Sequence, residues 1–500
     1  MADAAKHVFI SYVHEDSPRV DELCKVLTAA QIPYWRDRKD LGPGDAWKQK
    51  IRNAIQSGSL VFLACFSEQS VAKAKSYMNE ELTLAAEELR LRAPGRPWLI
   101  PLRLDSVEMP QWDLGAGRTL DDFNRVDLFG DDYATQAVLL ATAIHRLMGD
   151  AAPDEATTAA SVQSASDRER PERLRRATKE MLPDPSRRIA QDDLISGEMT
   201  RVLSAMRNET YFPTRLTATE GSEAITEVVR TAQSYWSLIA PFCWSLQVAA
   251  RWGEPSALAP WSTALRRLGT EAAQVKSGHT MLITLRNLPL LATVFTAALA
   301  AASQERWHNL RTLLVDVTVA TPRGPRAVPL VRATDPYEPF TDFEMVPHAL
   351  ARAAIEHEDP GEALAAFGDG RATKYRTPVS EWLHHILKPV FAEQLPDDPI
   401  YDTQFDQAEI LLGLLEQDFV NTTRSEDSLW VGGAHWFGRS TWRSRYSSGN
   451  SLETLSDQLK HQGNAWGPLT AGLFGGSQDR VRVAIEDYRG LFEKISASRW

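Results

Sequence analysis

From His7 to Met148 the chain alternates short apolar runs with amphipathic stretches. HVFISY, IPYWRD, SLVFLACFS and PWLIPLRL are apolar enough for buried strands, and FNRVDLF is a weaker fifth. Between them, PRVDELCKVLTAAQ, AWKQKIRNAIQSG, SYMNEELTLAAEELRLR and DYATQAVLLATAIHRLMG show helical periodicity. Apolar strands alternating with helices imply a parallel sheet covered on both faces. Five strands in about 140 residues predict an α/β flavodoxin-like, doubly wound parallel five-stranded sheet.

Beyond it the pattern changes. AAPDEATTAASVQSASD, beginning at Ala151, is small, polar and free of aromatic residues, the composition of a linker, and RERPERLRRATKE continues it as a charged stretch. From about Leu182 onward the periodicity is helical, in SEAITEVVRTAQSYWSLIAPFCWSLQVAARW, SALAPWSTALRRLGTEAA, NLPLLATVFTAALAAASQERWHNLRTLLVDV and QFDQAEILLGLLEQDFV. The expected organisation is residues 1–148 as one domain, 149–170 as a linker and 171–500 as a large mainly α-helical domain.

Composition narrows the function classes. The 500 residues carry a net charge of -11, which argues against a general nucleic-acid or anionic-membrane binder. The three cysteines, Cys24, Cys65 and Cys243, are scattered without ligand spacing and fit a reducing compartment. The start MADAAKHVFISY lacks a basic region followed by an apolar one, so a cytoplasmic protein is expected. Leu288–Ala302 is the longest apolar run; at fifteen residues it is short for a bilayer span and reads as a buried helix. Eleven of the fifteen tryptophans lie beyond the linker, which calls for a large aromatic core there or a ligand-holding hollow.

Candidate chemistry sits where the fold exposes it. In an open parallel sheet, ligands bind beyond the carboxyl ends of the strands, where strand order reverses. Leaving the first and third strands are Ser11, Tyr12, His14 and Asp16, then Phe66, Ser67 and Gln69; Trp35, Arg36 and Asp37 leave the second. This polar and aromatic rim suits a sugar, a phosphate and a flat base. On the helix after the third strand, Met78, Leu82, Ala85 and Leu89 form the sheet-facing stripe. Glu81 flanks it, one turn beyond Tyr77, whereas Glu80 points about 100° further round towards solvent; periodicity alone favours the alternative, that both belong to a charged helix surface with Glu87 and Glu88.

Four segments carry a resemblance. HVFISYVHED, YWRDRKDLGPGDAW, FLACFSEQSV and SYMNEEL, in this order, resemble the successive boxes of bacterial TIR domains across residues 7–148. In catalytically active members the last box often reads W-C-x-x-E, with a glutamate required for NAD cleavage. Glu81 falls on that position, with Tyr77 in place of the tryptophan and Met78 in place of the cysteine. The resemblance implies an NAD+ glycohydrolase that cleaves the nicotinamide–ribose bond with Glu81 as catalytic carboxylate. NAD+ is then a substrate and no cofactor or metal is implied. Ser11, Tyr12, Trp35, Arg36, Phe66, Ser67 and Tyr77 become the residues expected to bind it: Trp35 and Tyr77 by stacking, Arg36 at the pyrophosphate, Ser11 and Ser67 by hydrogen bonds. For Trp35 the alternative is sheet-edge packing, and for Arg36 an ion pair with Asp37 or Asp40.

Asp40, Leu41, Gly42, Pro43 and Gly44 match the BB loop, through which TIR domains of this kind associate with one another, and Asp45 is placed to cap the following helix. The family reading is an antiphage or abortive-infection effector activated by oligomerisation, whose helical half senses an unknown trigger, with no membrane and no nucleic acid as partner. Its alternatives are a non-catalytic TIR adaptor or an enzyme making a cyclic ADP-ribose-type messenger. In the helical half, His384 and His385 suit two faces of a helix rather than one metal. GGAHWFGRSTWRSRYSSGN, Gly432 to Asn450, interleaves arginines with aromatic rings, as a nucleotide site or as a structural turn.

Overall fold

The computed structural model describes residues 7–36, 54–55, 59–73, 75–92, 97–115, 117–130, 132–148, 155–218, 221–274, 277–320, 326–341, 344–423, 434–444 and 450–498. The chain divides into two compact units, Met1–Arg170 and Pro171–Trp500. Asp40, Leu41, Gly42, Pro43 and Gly44, and nearly all of the helix expected from Ala46, lie outside the described residues.

In the first unit, β1 (His7–Ser11), β2 (Tyr34–Arg36), β3 (Ser59–Phe66), β4 (Leu99–Arg103) and β7 (Val126–Asp127) form one sheet in the order β2-β1-β3-β4-β7. Every pairing in it is parallel. This is the expected flavodoxin-like sheet, and its strand order reverses between β1 and β3. A short antiparallel ribbon, β5 (Asp113–Gly115) with β6 (Arg118–Thr119), lies between β4 and β7 in sequence and carries no apolar alternation that would announce it.

The two-residue period of the strands sorts their side chains between two cores. Val8, Ile10, Val61, Leu63, Cys65 and Leu102 face α1 (Ser17–Ala29) and α4 (Tyr133–Met148), where Leu23, Leu27, Leu140 and Ile144 close over them. Phe9, Phe62, Ala64 and Phe66 face the other way. There they meet the stripe Met78, Leu82, Ala85 and Leu89 of α3 (Tyr77–Leu91), as its periodicity requires. The short helix α2 (Glu68–Val71) precedes α3.

The second unit is mainly helical. Its longest helices are Gly221–Trp252, Asp398–Thr423 and Gln478–Ser498, and a helix Glu155–Met181 begins within the small, polar stretch that follows the first unit. The apolar run Leu288–Ala302 is one helix packed inside the unit, with every residue through Ala301 buried. Thr280–Ala302 is the one stretch among the described residues long and apolar enough to cross a membrane, and its most apolar eighteen-residue window is 83% buried. The periodicity expected to continue past Ala302 is interrupted: Glu305 adopts a left-handed conformation (φ 53°) and a new helix starts at Trp307. Trp261, Trp382, Trp436 and Trp466 are buried, which makes these four core residues.

Candidate active site

The switch between β1 and β3 is held by three side-chain ties, each joining segments far apart in sequence. Ser11 ends β1 with no exposed surface, and its hydroxyl donates to Glu81 Oε2 at 2.5 Å, seventy positions along the chain. Glu81 is 3% exposed, so the carboxylate faces inward at the carboxyl end of β1. Asp16, 2% exposed, accepts from Ser67 Oγ at 2.5 Å and thereby joins the loop after β1 to the loop after β3. Burial pushes the Asp16 carboxyl above its usual range, against the hydrogen bond from Ser67. Nearer the surface, Lys73 Nζ meets Glu15 Oε2 at 2.6 Å, and this hydrogen bond holds the Glu15 carboxyl below its usual range.

Beside these ties opens a cleft of about 550 Å³ lined by Tyr12, Val13, His14 and Glu15 from the first loop and by Lys73, Lys75, Ser76, Tyr77, Met78 and Glu80 from the approach to α3. Ser76 caps α3, its hydroxyl accepting from the Asn79 amide at 3.2 Å, so the helix presents its amino end to the cleft. Lys75 is exposed at the same place, and among the described residues no ion pair engages it. Glu81 follows Glu80 of this wall in sequence but is buried and does not itself line the cleft. Tyr77 shares its helix face but is 61% exposed, because it starts α3 beyond the cover of the sheet, whereas the next turn packs against β1.

The residues expected around the ligand thus separate into three groups. Ser11 and Glu81 come together, and Tyr12 and Tyr77 line the cleft. Trp35 and Arg36 are engaged elsewhere. Trp35 stacks on Phe9 with ring centroids 4.8 Å apart, and Phe9 on Phe62 at 5.2 Å, an aromatic row on the α3 side of the sheet. Arg36 is buried on the opposite side, with Nη1 2.6 Å from Asp21 of α1; Asp37 and Asp40, the ion-pair partners expected as the alternative, lie outside the described residues. Phe66 and Ser67 form the third group. Phe66 is core beneath α3. Ser67 caps α2, accepting from the Ser70 amide at 3.1 Å in a reciprocal capping box.

Lys73 and Lys75 were not among the expected site residues. The signal was present as two lysines two positions apart immediately before an N-cap serine, at the amino end of the helix that carries Glu81.

In the second unit the arginine–aromatic segment is a clamp. Arg439 and Arg443 reach Asp402 at 3.2 Å each, and Arg443 Nε is 2.9 Å from Asp406, so both guanidinium groups pin the segment to the helix Asp398–Thr423. Ser440 donates from Oγ to buried Glu409 at 2.7 Å, and a Cβ on Gly438 would stand 1.9 Å from Glu409 Oε1, which reserves that position for glycine. His384 bonds Asp402 through Nε2 at 2.7 Å, while His385 faces His357.

Residues 8–140 match the family model described as TIR domain. No curated protein matches the chain. The chain therefore carries an N-terminal TIR domain followed by a large, mostly helical region of unassigned family.

Proposed function

We propose that this TIR domain is an NAD+ nucleosidase that cleaves the nicotinamide–ribose bond, with Glu81 as its catalytic carboxylate. The observation that carries the reading is the inward carboxylate of Glu81, bonded to Ser11 at the end of β1 and next in sequence to Glu80 of a cleft that joins cations to aromatic rings.

The chemistry asks little of the protein beyond one fixed negative charge. The C1′–N bond breaks with its electron pair staying on the pyridine nitrogen, so nicotinamide departs neutral and needs no proton donor. Positive charge develops on the ribose as the bond stretches, and a carboxylate held beside the sugar stabilises it. Water then adds at C1′ and releases a proton to solvent, giving ADP-ribose. Ordinary glycosidases need a second carboxyl group to protonate a poorer leaving group. Lys75 and the amino end of α3 suit the pyrophosphate, and Tyr12 and Tyr77 suit the flat rings. These assignments pass the roles first expected of Arg36 and Trp35 to residues on the cleft wall. Self-association through Asp40, Leu41, Gly42, Pro43 and Gly44, and detection of a trigger by the helical unit, complete the proposal of an oligomerisation-activated antiviral effector in the cytoplasm.

The test is nicotinamide release from NAD+ by the full chain across a range of enzyme concentrations. The expected outcome is release that rises more steeply than linearly with enzyme and is abolished in Glu81→Gln, whose melting stays near that of the parent. Equal turnover by Glu81→Gln discards the assignment. Chromatography of the products separates ADP-ribose from a cyclic messenger.

A further inference from the structure

We propose that Ser11 is the positioning residue of this site: it acts through Glu81, by donating its hydroxyl hydrogen to one carboxylate oxygen, and not by touching the substrate. The inference rests on the nucleosidase reading above and deepens it. It also replaces the hydrogen bond to NAD+ that the resemblance led one to expect of Ser11.

Three observations carry it. First, Ser11 has no exposed surface and its hydroxyl is turned to the buried carboxylate of Glu81, whereas its neighbour Tyr12 lines the cleft. Two positions on from Phe9, Ser11 turns to the α3 side of the sheet, where Glu81 lies, and Tyr12 follows the last residue of the strand. Second, the Ser11 hydroxyl has a single hydrogen to give, and at 2.5 Å it is given to Glu81 Oε2. Third, the bond ties the last residue of β1 to the first turns of α3, seventy positions away in sequence, at the height where the strand order reverses. A glutamate has three rotatable side-chain bonds, and a hydrogen bond at its far end adds to the order that burial imposes. The serine hydroxyl fixes one oxygen and with it the orientation of the carboxylate.

Two consequences follow for catalysis. Orientation of the carboxylate acts on the step where charge develops, so its loss appears in kcat rather than in KM. A hydrogen bond donated to the ionised form also favours that form. Without it, a buried carboxylate takes up a proton at higher pH, and the acidic limb of the pH–rate profile moves upward. A serine that only filled space would produce neither effect.

The experiment uses the full chain and three variants, Ser11→Ala, Ser11→Thr and Glu81→Gln, measured for nicotinamide release between pH 4.5 and pH 8.5, roughly the range in which a carboxylate limb is visible. The expected result for Ser11→Ala is a fall in kcat of about ten- to a hundred-fold, the size of a lost hydrogen bond to a charged group, with KM nearly unchanged and the acidic limb displaced upward. Ser11→Thr keeps the hydroxyl and is expected to recover the limb of the parent, even where its extra methyl group lowers stability. Thermal melting accompanies each variant, so a fall in kcat that tracks unfolding is separated from one at intact fold. If Glu81→Gln abolishes release while Ser11→Ala keeps both kcat and limb, the positioning role is overturned and the nucleosidase reading stands. If Ser11→Ala raises KM alone, Ser11 is a substrate contact and the inference is likewise overturned. If Glu81→Gln releases nicotinamide as well as the parent, the nucleosidase reading falls and this inference with it.

Discussion

Replacing Ser67 with alanine separates a ligand contact from a structural tie. In the parent, Ser67 accepts from the Ser70 amide as the cap of α2 and donates to Asp16, and both groups of the Ser67–Asp16 bond are almost fully buried. Loss of a serine cap costs about 1 kcal/mol. Loss of a hydrogen bond to a buried carboxyl adds about 1.5–3 kcal/mol if the group stays charged, and less if it takes up a proton. Arg19, at 4.0 Å, compensates little of this for Asp16. The sum, about 2–4 kcal/mol, corresponds to a loss of melting temperature of roughly 5–15 °C for a unit of this size. In hydrogen exchange it corresponds to a loss of protection of about thirty-fold to several hundred-fold at the amides of residues 59–66. Calorimetry of the full chain, with exchange at those amides to identify the first unit's transition, makes the measurement. Unchanged stability together with a several-fold rise in KM for NAD+ would refute the reasoning and return Ser67 to the ligand.

Two further predictions concern the helical unit. Burial pushes the Asp406 carboxyl up to about 7. A carboxyl raised in the folded state stabilises most below its unfolded value of 3.8, and this contribution is lost as pH rises through about 7. Asp402 runs the other way: although burial opposes its charge, His384, Arg439 and Arg443 bring it to about 2, so its contribution is present above 3.8 and is lost only as pH falls through about 2. Asp406→Asn is therefore expected to flatten the fall in denaturant stability between pH 4 and about 7, and a slope equal to that of the parent counts against the assignment. Gly413→Ala gains roughly 1 kcal/mol of helix propensity. Its new Cβ, however, stands 2.3 Å from Tyr488 Cε2 in a ring with no exposed surface, and overpacking of that kind costs about 1–3 kcal/mol or more. A lower melting point is expected, and a raised one would show that the Tyr488 ring can move aside.

Much of the first unit was legible because its signals are local. The continuous apolar runs HVFIS and SLVFLACF mark strands covered on both faces, and the spacing of Met78, Leu82, Ala85 and Leu89 fixes the inner face of α3. The ribbon β5–β6 was not legible, because two- and three-residue strands carry no period to read. The same holds for the end of the helix at Ala302, where the apolar spacing continues but Glu305 turns the chain left-handed.

For the site, the sequence by itself determined the parallel sheet, the residues at the carboxyl ends of its strands, and Glu81 as the glutamate flanking the buried stripe. These follow from backbone periods of two and 3.6 residues, which act over neighbours along the chain. Only the tertiary structure decided what each polar side chain does there. Arg36 turns to Asp21, Trp35 to Phe9, Ser67 to Asp16, Ser11 to Glu81, and Arg439 to Asp402 and Asp406. The physical reason is that a hydrogen bond or ion pair depends on a few ångströms between atoms whose positions along the chain differ by tens of residues. No local pattern records that distance; the packing of sheet and helices sets it.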